Sequence, residues 1–275
     1  MARSDDLGRP RKKKRVQKGR RIPVGPILIF VGVLIGGALL LVGGKHLVKS
    51  LPPMKPGTLA ERRITSRDNM KQMVLRIHNY EECYRIFPCS GTVRDDGTPN
   101  LSWQVGMTPE QYRQETGDTE MMSWSKMINP VFEKIDPNKP WDSPENKAAY
   151  AVQIPFFLNS EIPVQPNEFI THYAGNIHLF VPGKGFRGGK ITDGLSNTLA
   201  IGEVTAGFKS WGDPDNVRDP GLGLGKTPTQ FGGPFPGGTF LAFADGHTNF
   251  ISDKIDPRVL KALATPNGGE KTERF

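Results

Sequence analysis

Residues 22–44, IPVGPILIFVGVLIGGALLLVGG, carry no charged side chain and follow directly on the densest positive charge in the sequence. At a helical rise of about 1.5 Å per residue such a run reaches about 34 Å, enough to cross a hydrocarbon core about 30 Å thick. The expectation is a single N-terminal transmembrane helix.

Its flanks give it a direction. Residues 1–21 hold Arg3, Arg9, Arg11, Lys12, Lys13, Lys14, Arg15, Lys18, Arg20 and Arg21 against Asp5 and Asp6, whereas the far side offers Lys45, Lys49 and Lys55. Positive charge stays inside, so the reading is a single-pass protein of a bacterial cytoplasmic membrane, its tail in the cytoplasm and the rest outside. A cleaved signal peptide is the rival, but the run is longer than an ordinary h-region and GGKHLVKSLPPM offers no small-x-small cleavage site. The string PRKKKRV has the look of a nuclear import signal; beside a membrane span it reads instead as a flank for anionic lipid headgroups. Gly32 and Gly36 form a GxxxG face suited to helix pairing, although glycine is common in membrane spans generally.

The formal charge of +8 resides wholly in the tail. The remaining chain is neutral, which leaves no basic domain for a phosphate backbone and excludes nucleic acid as a partner. With 32 Gly and 24 Pro, about a fifth of the chain, the body is expected to be loop-rich α+β rather than a helical bundle. Cys83 and Cys89 either pair or stand as two separately buried thiols.

The order of segments follows: a basic cytoplasmic tail 1–21, the transmembrane helix 22–44, a Pro-rich linker 45–57, an exported domain 58–264 and a C-terminal tail 265–275. From Thr58 to about Tyr84, Met70, Met73, Val74, Ile77 and Tyr80 recur at helical spacing, with Arg62, Arg63, Arg67, Lys71, Arg76 and Glu81 largely elsewhere. That pattern predicts an amphipathic helix laid on a core. Ser143 and Pro144 suit the start of a second helix. Gly238 to Ser252, GTFLAFADGHTNFIS, predicts a hairpin turning at Asp245-Gly246, and Asp256-Pro257 opens a short helix through Ala264. Phe208 to Pro236 reads as a long Gly/Pro-rich surface or partner loop containing Trp211.

These motifs carry a resemblance. RDNMKQMVLRIHNYEECYRIFP, MSWSKMINPVFE, PWDSPENKA, THYAG, ITDGLSNTLAIGE, GGTFLAFADGHTNFIS and IDPRVLKALATPNGGE follow one another between Arg67 and Glu270. They resemble, in order, the large uncharacterised bacterial family of domain of unknown function 1559, expanded in planctomycetes and also labelled extracellular solute-binding. The resemblance implies a pilin-like plan, with a membrane-inserted helix before a loop-rich domain in which an amphipathic helix packs on an antiparallel β-sheet. It also implies other envelope or pilin-like proteins as partners. Two departures stand out: no Gly-Phe-Thr-Leu-x-Glu processing signal precedes the apolar run, and the histidine of the family's His-x9-Asp-Gly signature is replaced by Phe235.

No HExxH, CxxC, GxSxG, Walker or dinucleotide pattern occurs, so neither a cofactor, a metal nor an enzymatic activity is expected. The candidate ligand-binding set is Glu203, Asp193, Asn197 and Asp245, with Trp211. Asp193 and Asp245 also suit Asp-Gly turns, and Asn197 suits backbone satisfaction. Glu203 differs from them, because a carboxylate inside LAIGEV needs a partner once buried. The favoured function is a non-enzymatic structural or interaction module of the cell envelope. The alternative is a solute-binding protein in which Trp103, Trp124, Trp141 and Trp211 stack on a sugar or peptide.

Overall fold

A computed structural model describes residues 57–93, 99–106, 131, 134–136 and 138–270. Among these residues the first helix, α1, spans Leu59–Tyr84. Thr58 starts it with a capping box: its Oγ1 accepts the Glu61 N–H at 3.3 Å, and the Glu61 carboxylate accepts the Thr58 N–H at 2.6 Å. Arg85 ends it in the left-handed region at φ 57°, its N–H donating to the Glu81 carbonyl. Met70, Met73, Val74 and Ile77 are fully buried, the face the periodicity predicts. Arg76 departs from that pattern, because its guanidinium is buried over the Phe156 ring at 4.5 Å.

Beneath α1 lies a five-stranded sheet built from β4 (Tyr173–Asn176), β5 (Leu199–Glu203), β7 (Val217–Arg218), β8 (Gly238–Phe243) and β9 (Thr248–Ser252), in the order β7-β4-β5-β8-β9. Two small antiparallel pairs join β1 (Gly91–Val93) to β2 (Pro99–Ser102) and β3 (Ile170–Thr171) to β6 (Lys209–Ser210). Among the described residues there are also short α-helices α2 (Trp103–Gly106), α3 (Pro144–Tyr150) and α4 (Pro257–Ala264), and single turns of 3-10 helix between strands. Ser143 caps α3 with Pro144 in its first turn, and Asp256 caps α4. The β8–β9 hairpin runs in unbroken register from Gly238↔Ser252 to Ala242↔Thr248. Its turn needs glycine, since Gly246 sits at φ +94°.

Both faces of the sheet are covered. Tyr173, Ile201, Phe240 and Ala242 join the α1 face in a core with Trp103, Phe157, Phe180 and Trp211. On the opposite face Ala174, Leu241, Phe243 and Ile251 pack with Phe231 and with Leu260 and Leu263 of α4.

Four expectations are corrected. The fold is mixed helix and sheet, but among the described residues no helix is long and apolar enough to cross a membrane. α1 has the length for a span, but Arg62, Arg63, Arg67, Lys71 and Arg76 deny it the hydropathy. The anchor-plus-pilin fold class is therefore not what the structure supports, and the single-pass location in a cytoplasmic membrane fails on the same ground. The segment 22–44 on which both rested, with Gly32 and Gly36, lies outside the described residues, as does the basic tail 1–21. The sheet is also mixed rather than antiparallel throughout, because β7 returns alongside β4 in parallel. The Gly/Pro-rich segment that delivers β7 is not a free loop, since Trp211, Phe231 and Phe235 anchor it in the core.

Candidate functional site

β5 carries its last residue, Glu203, into the core directly opposite Tyr173 of β4. Strand alternation sends that side chain to the same face as Ile201, under α1. There the carboxyl is completely buried and meets donors from three directions. Oε1 accepts the Ser66 hydroxyl of α1 at 2.5 Å and the Asn159 side-chain amide at 2.7 Å. Oε2 accepts the Phe240 N–H of β8 at 2.7 Å and the Thr239 hydroxyl at 3.2 Å. Gly233 makes room, because a Cβ there would collide with Oε2.

Further hydrogen bonds extend the cluster. Ser66 Oγ and Tyr173 Oη lie 3.1 Å apart, and Asn159 Nδ2 also reaches Ser66 at 3.1 Å. The Asn159 N–H donates to His172 Nδ1 at 2.9 Å, which leaves the His172 proton on Nε2. Asn159 therefore ties a neutral imidazole to a carboxyl. Burial raises the Glu203 pKa and outweighs the four donors that pull it down. Burial and the neighbouring Glu203 together push the Tyr173 phenol up, and burial pushes His172 down to about 4.

Geometrically, this arrangement is a clamp. Every carboxyl lone pair in reach of the protein has a protein donor, and the group has no exposed surface through which a substrate could approach. What it does accomplish is to join α1, the 159 loop, β4, β5 and β8 at one point.

The other expected ligand residues do not join it. Asp193 lies at a turn where Oδ2 accepts the Gly268 N–H at 2.7 Å and Oδ1 the Gly269 N–H at 3.0 Å, pinning the segment after α4. Asn197 is beside it, donating to the Asp193 carbonyl at 2.8 Å. Asp245 sits exposed at the hairpin tip, its Oδ1 2.5 Å from His247 Nδ1. Trp211 is fully buried, donating to the Val152 carbonyl at 3.1 Å. Cys89 is a free, partly buried thiol, and the side chain of Cys83 lies outside the described residues. Among the described residues no group of three or more His, Cys, Asp or Glu side chains is placed to hold a metal ion.

The tryptophans divide unevenly. Trp103 stacks on Phe180 with ring centroids 5.2 Å apart and donates to the Asn216 carbonyl, so it too is core; Trp124 lies outside the described residues. Trp141 is different, for it lines an open pocket of about 230 Å³ with Lys147, Tyr150, Phe169 and Ser210. Phe235, at the position of the family histidine, is buried against Phe240 and beneath Arg63.

This is a mixed helix-and-sheet domain whose polar centre is a closed carboxyl cluster. Residues 60–179 match the family model described as a protein of unknown function (DUF1559), and the resemblance carried by the motifs is shown over that stretch. The match runs from α1 through THYAG, so Ser66, Asn159, His172 and Tyr173 fall within it, while Glu203 and Thr239 lie beyond. No curated protein and no solved structure matches the chain.

Ser66, Asn159, Thr239 and His172 were not among the residues that sequence reasoning selected. THYAG carries a signal for His172 and Tyr173, two polar side chains inside a strand pattern. Nothing in the sequence marks Asn159.

Proposed function

We propose that the chain provides an extracellular, non-catalytic structural or interaction domain that works with other proteins of the cell envelope. The match to DUF1559 supports the extracellular setting. One observation carries the rest: the buried carboxyl of Glu203 is sealed and fully hydrogen-bonded, and it holds helix to sheet instead of facing a cleft. A screen of the full chain against peptide, ester and glycoside substrates is expected to give no turnover. Turnover that Glu203→Gln abolishes in a folded protein would sink the reading.

A second reading, binding of a small solute, is favoured by the pocket at Trp141. Its aromatic lining suits stacking on a sugar or peptide ring, and the Tyr150 hydroxyl beside it is buried with no hydrogen-bond partner among the described residues. At about 230 Å³ it is smaller than the several hundred Å³ typical of ligand clefts, which places this reading second. Melting the full chain with and without a panel of mono- and disaccharides tests it. A rise in Tm that Trp141→Ala removes supports it, and no rise at millimolar sugar counts against it.

A further inference from the structure

The two edges of the five-stranded sheet are unequal. β7 offers two residues, Val217–Arg218, whereas β9 offers five, Thr248–Ser252, without a single charged side chain. The Phe243 N–H donates to the His247 carbonyl at 2.9 Å, and the Asp253 N–H to the Gly237 carbonyl at 3.2 Å. With the register unbroken between these points, the odd-numbered residues of β9 bond to β8. Thr248, Phe250 and Ser252 therefore turn their N–H groups away from the sheet. Among the described residues no other backbone group pairs with those N–H groups or with the Thr248 and Phe250 carbonyls. An uncharged edge with its outward N–H and C=O groups unpaired is a template for another strand.

We propose that β9 pairs antiparallel with β9 of a second copy of this chain, about a two-fold axis through Phe250. This rests on the interaction reading above and names its partner. In this register Phe250 exchanges its N–H and C=O with Phe250 of the second copy, and each Ser252 N–H reaches the other's Thr248 carbonyl. The uncharged TNFIS segment meets itself without repulsion. The flanking residues then choose the register: His247 of each copy falls opposite Asp253 of the other, an imidazole facing a carboxylate it can hydrogen-bond, at both ends of the pair. Phe250 is only partly buried, with Arg63 3.9 Å above its ring, and its counterpart would cover much of what remains exposed. A C2 pairing closes on itself and leaves no further long edge to propagate.

Sedimentation of the full chain across micromolar concentrations tests this. Wild type is expected to show a reversible monomer–dimer equilibrium. Ser252→Pro removes an outward N–H without touching a β8 bond and is expected to raise the dimer Kd about tenfold or more, whereas Ser252→Ala, which keeps the N–H, leaves it unchanged. Asp253→Lys is expected to weaken the dimer and His247→Glu/Asp253→Lys to restore it, a pattern that a change in monomer stability does not produce. Circular dichroism verifies folding of each variant. A chain that stays monomeric throughout, or a dimer indifferent to both Ser252→Pro and Asp253→Lys, overturns the pairing. The interaction reading itself is sunk by Glu203-dependent turnover, a separate measurement.

Discussion

Glu203 and Asp193 are both carboxyl groups with protein donors on both oxygens, but their surroundings reverse what those hydrogen bonds mean. Glu203 receives its four donors in complete burial. Asp193 receives two backbone N–H groups at a turn that water also reaches. In water the donors of Asp193 have a ready substitute, so its bonds contribute little net free energy. No substitute exists for the donors of Glu203, and each would be stranded in the core without it. The core carboxyl is thus a structural clamp on five elements, and the surface one a latch on a single segment.

The sharpest way to break this contrast is to remove the Glu203 carboxyl while keeping bulk. Glu203→Leu strands the Phe240 N–H and the Asn159 amide, and is expected to cost about 3–5 kcal/mol in urea unfolding. Glu203→Gln is milder but not neutral. Whichever way its amide is turned, the NH2 end faces a donor, Asn159 on one side or Phe240 on the other, so about 1–3 kcal/mol is expected. A loss below about 0.5 kcal/mol in Glu203→Leu would mean that the cluster is not a clamp.

Two pH dependences sharpen the comparison further, because Asn159 joins groups that titrate in opposite senses. His172 is depressed to about 4 by burial, so its contribution is complete above the unfolded value near 6.5 and is lost as pH falls toward 4. The loss amounts to about 3 kcal/mol at most, and His172→Asn, whose carbonyl can replace Nδ1 as acceptor for Asn159, is expected to flatten it. Glu203 is raised by burial, so its contribution is complete below the unfolded carboxyl value near 4.3 and declines as pH rises through the folded one. The stability gap between wild type and Glu203→Gln is therefore expected to narrow as pH rises above about 4, and a widening gap would contradict the raised carboxyl.

The same contrast explains what was legible in the sequence. α1, the β8–β9 hairpin and α4 are readable because each is a local pattern: a 3.6 period through Met70, Met73, Val74 and Ile77, alternation around Asp245-Gly246, and Asp256-Pro257 opening the last helix. That Glu203 needs a partner is readable too, from an acid within an apolar strand. Its partners are not, since Ser66 is 137 positions away and Asn159 44, and no local rule links them. Trp103 and Trp211 mislead for the same reason, because only the tertiary fold decides whether a tryptophan in loop-rich sequence is surface or core. The tie from Asp193 to Gly268 and Gly269 is equally long-range, and an Asp-Gly turn seen alone explains Asp193 without it.

That latch gives the smallest effect. Asp193→Asn keeps one acceptor oxygen but turns an NH2 toward Gly268 or Gly269, and Asp193→Ala removes both acceptors. Each is expected to lower global stability by about 1 kcal/mol or less, because water can satisfy the released N–H groups. Locally the consequence is larger. The Asp193 N–H to Pro266 carbonyl bond is long at 3.3 Å and lies before the exposed residues 267–270, so these should open without unfolding the sheet. Hydrogen exchange is the measurement: the Gly268 and Gly269 amides should exchange markedly faster in Asp193→Ala, while the Phe240 amide, held by Glu203, keeps its protection. Equal acceleration at Phe240 would mean that core clamp and surface latch form one cooperative unit, and the distinction drawn between the two carboxyl groups would fail.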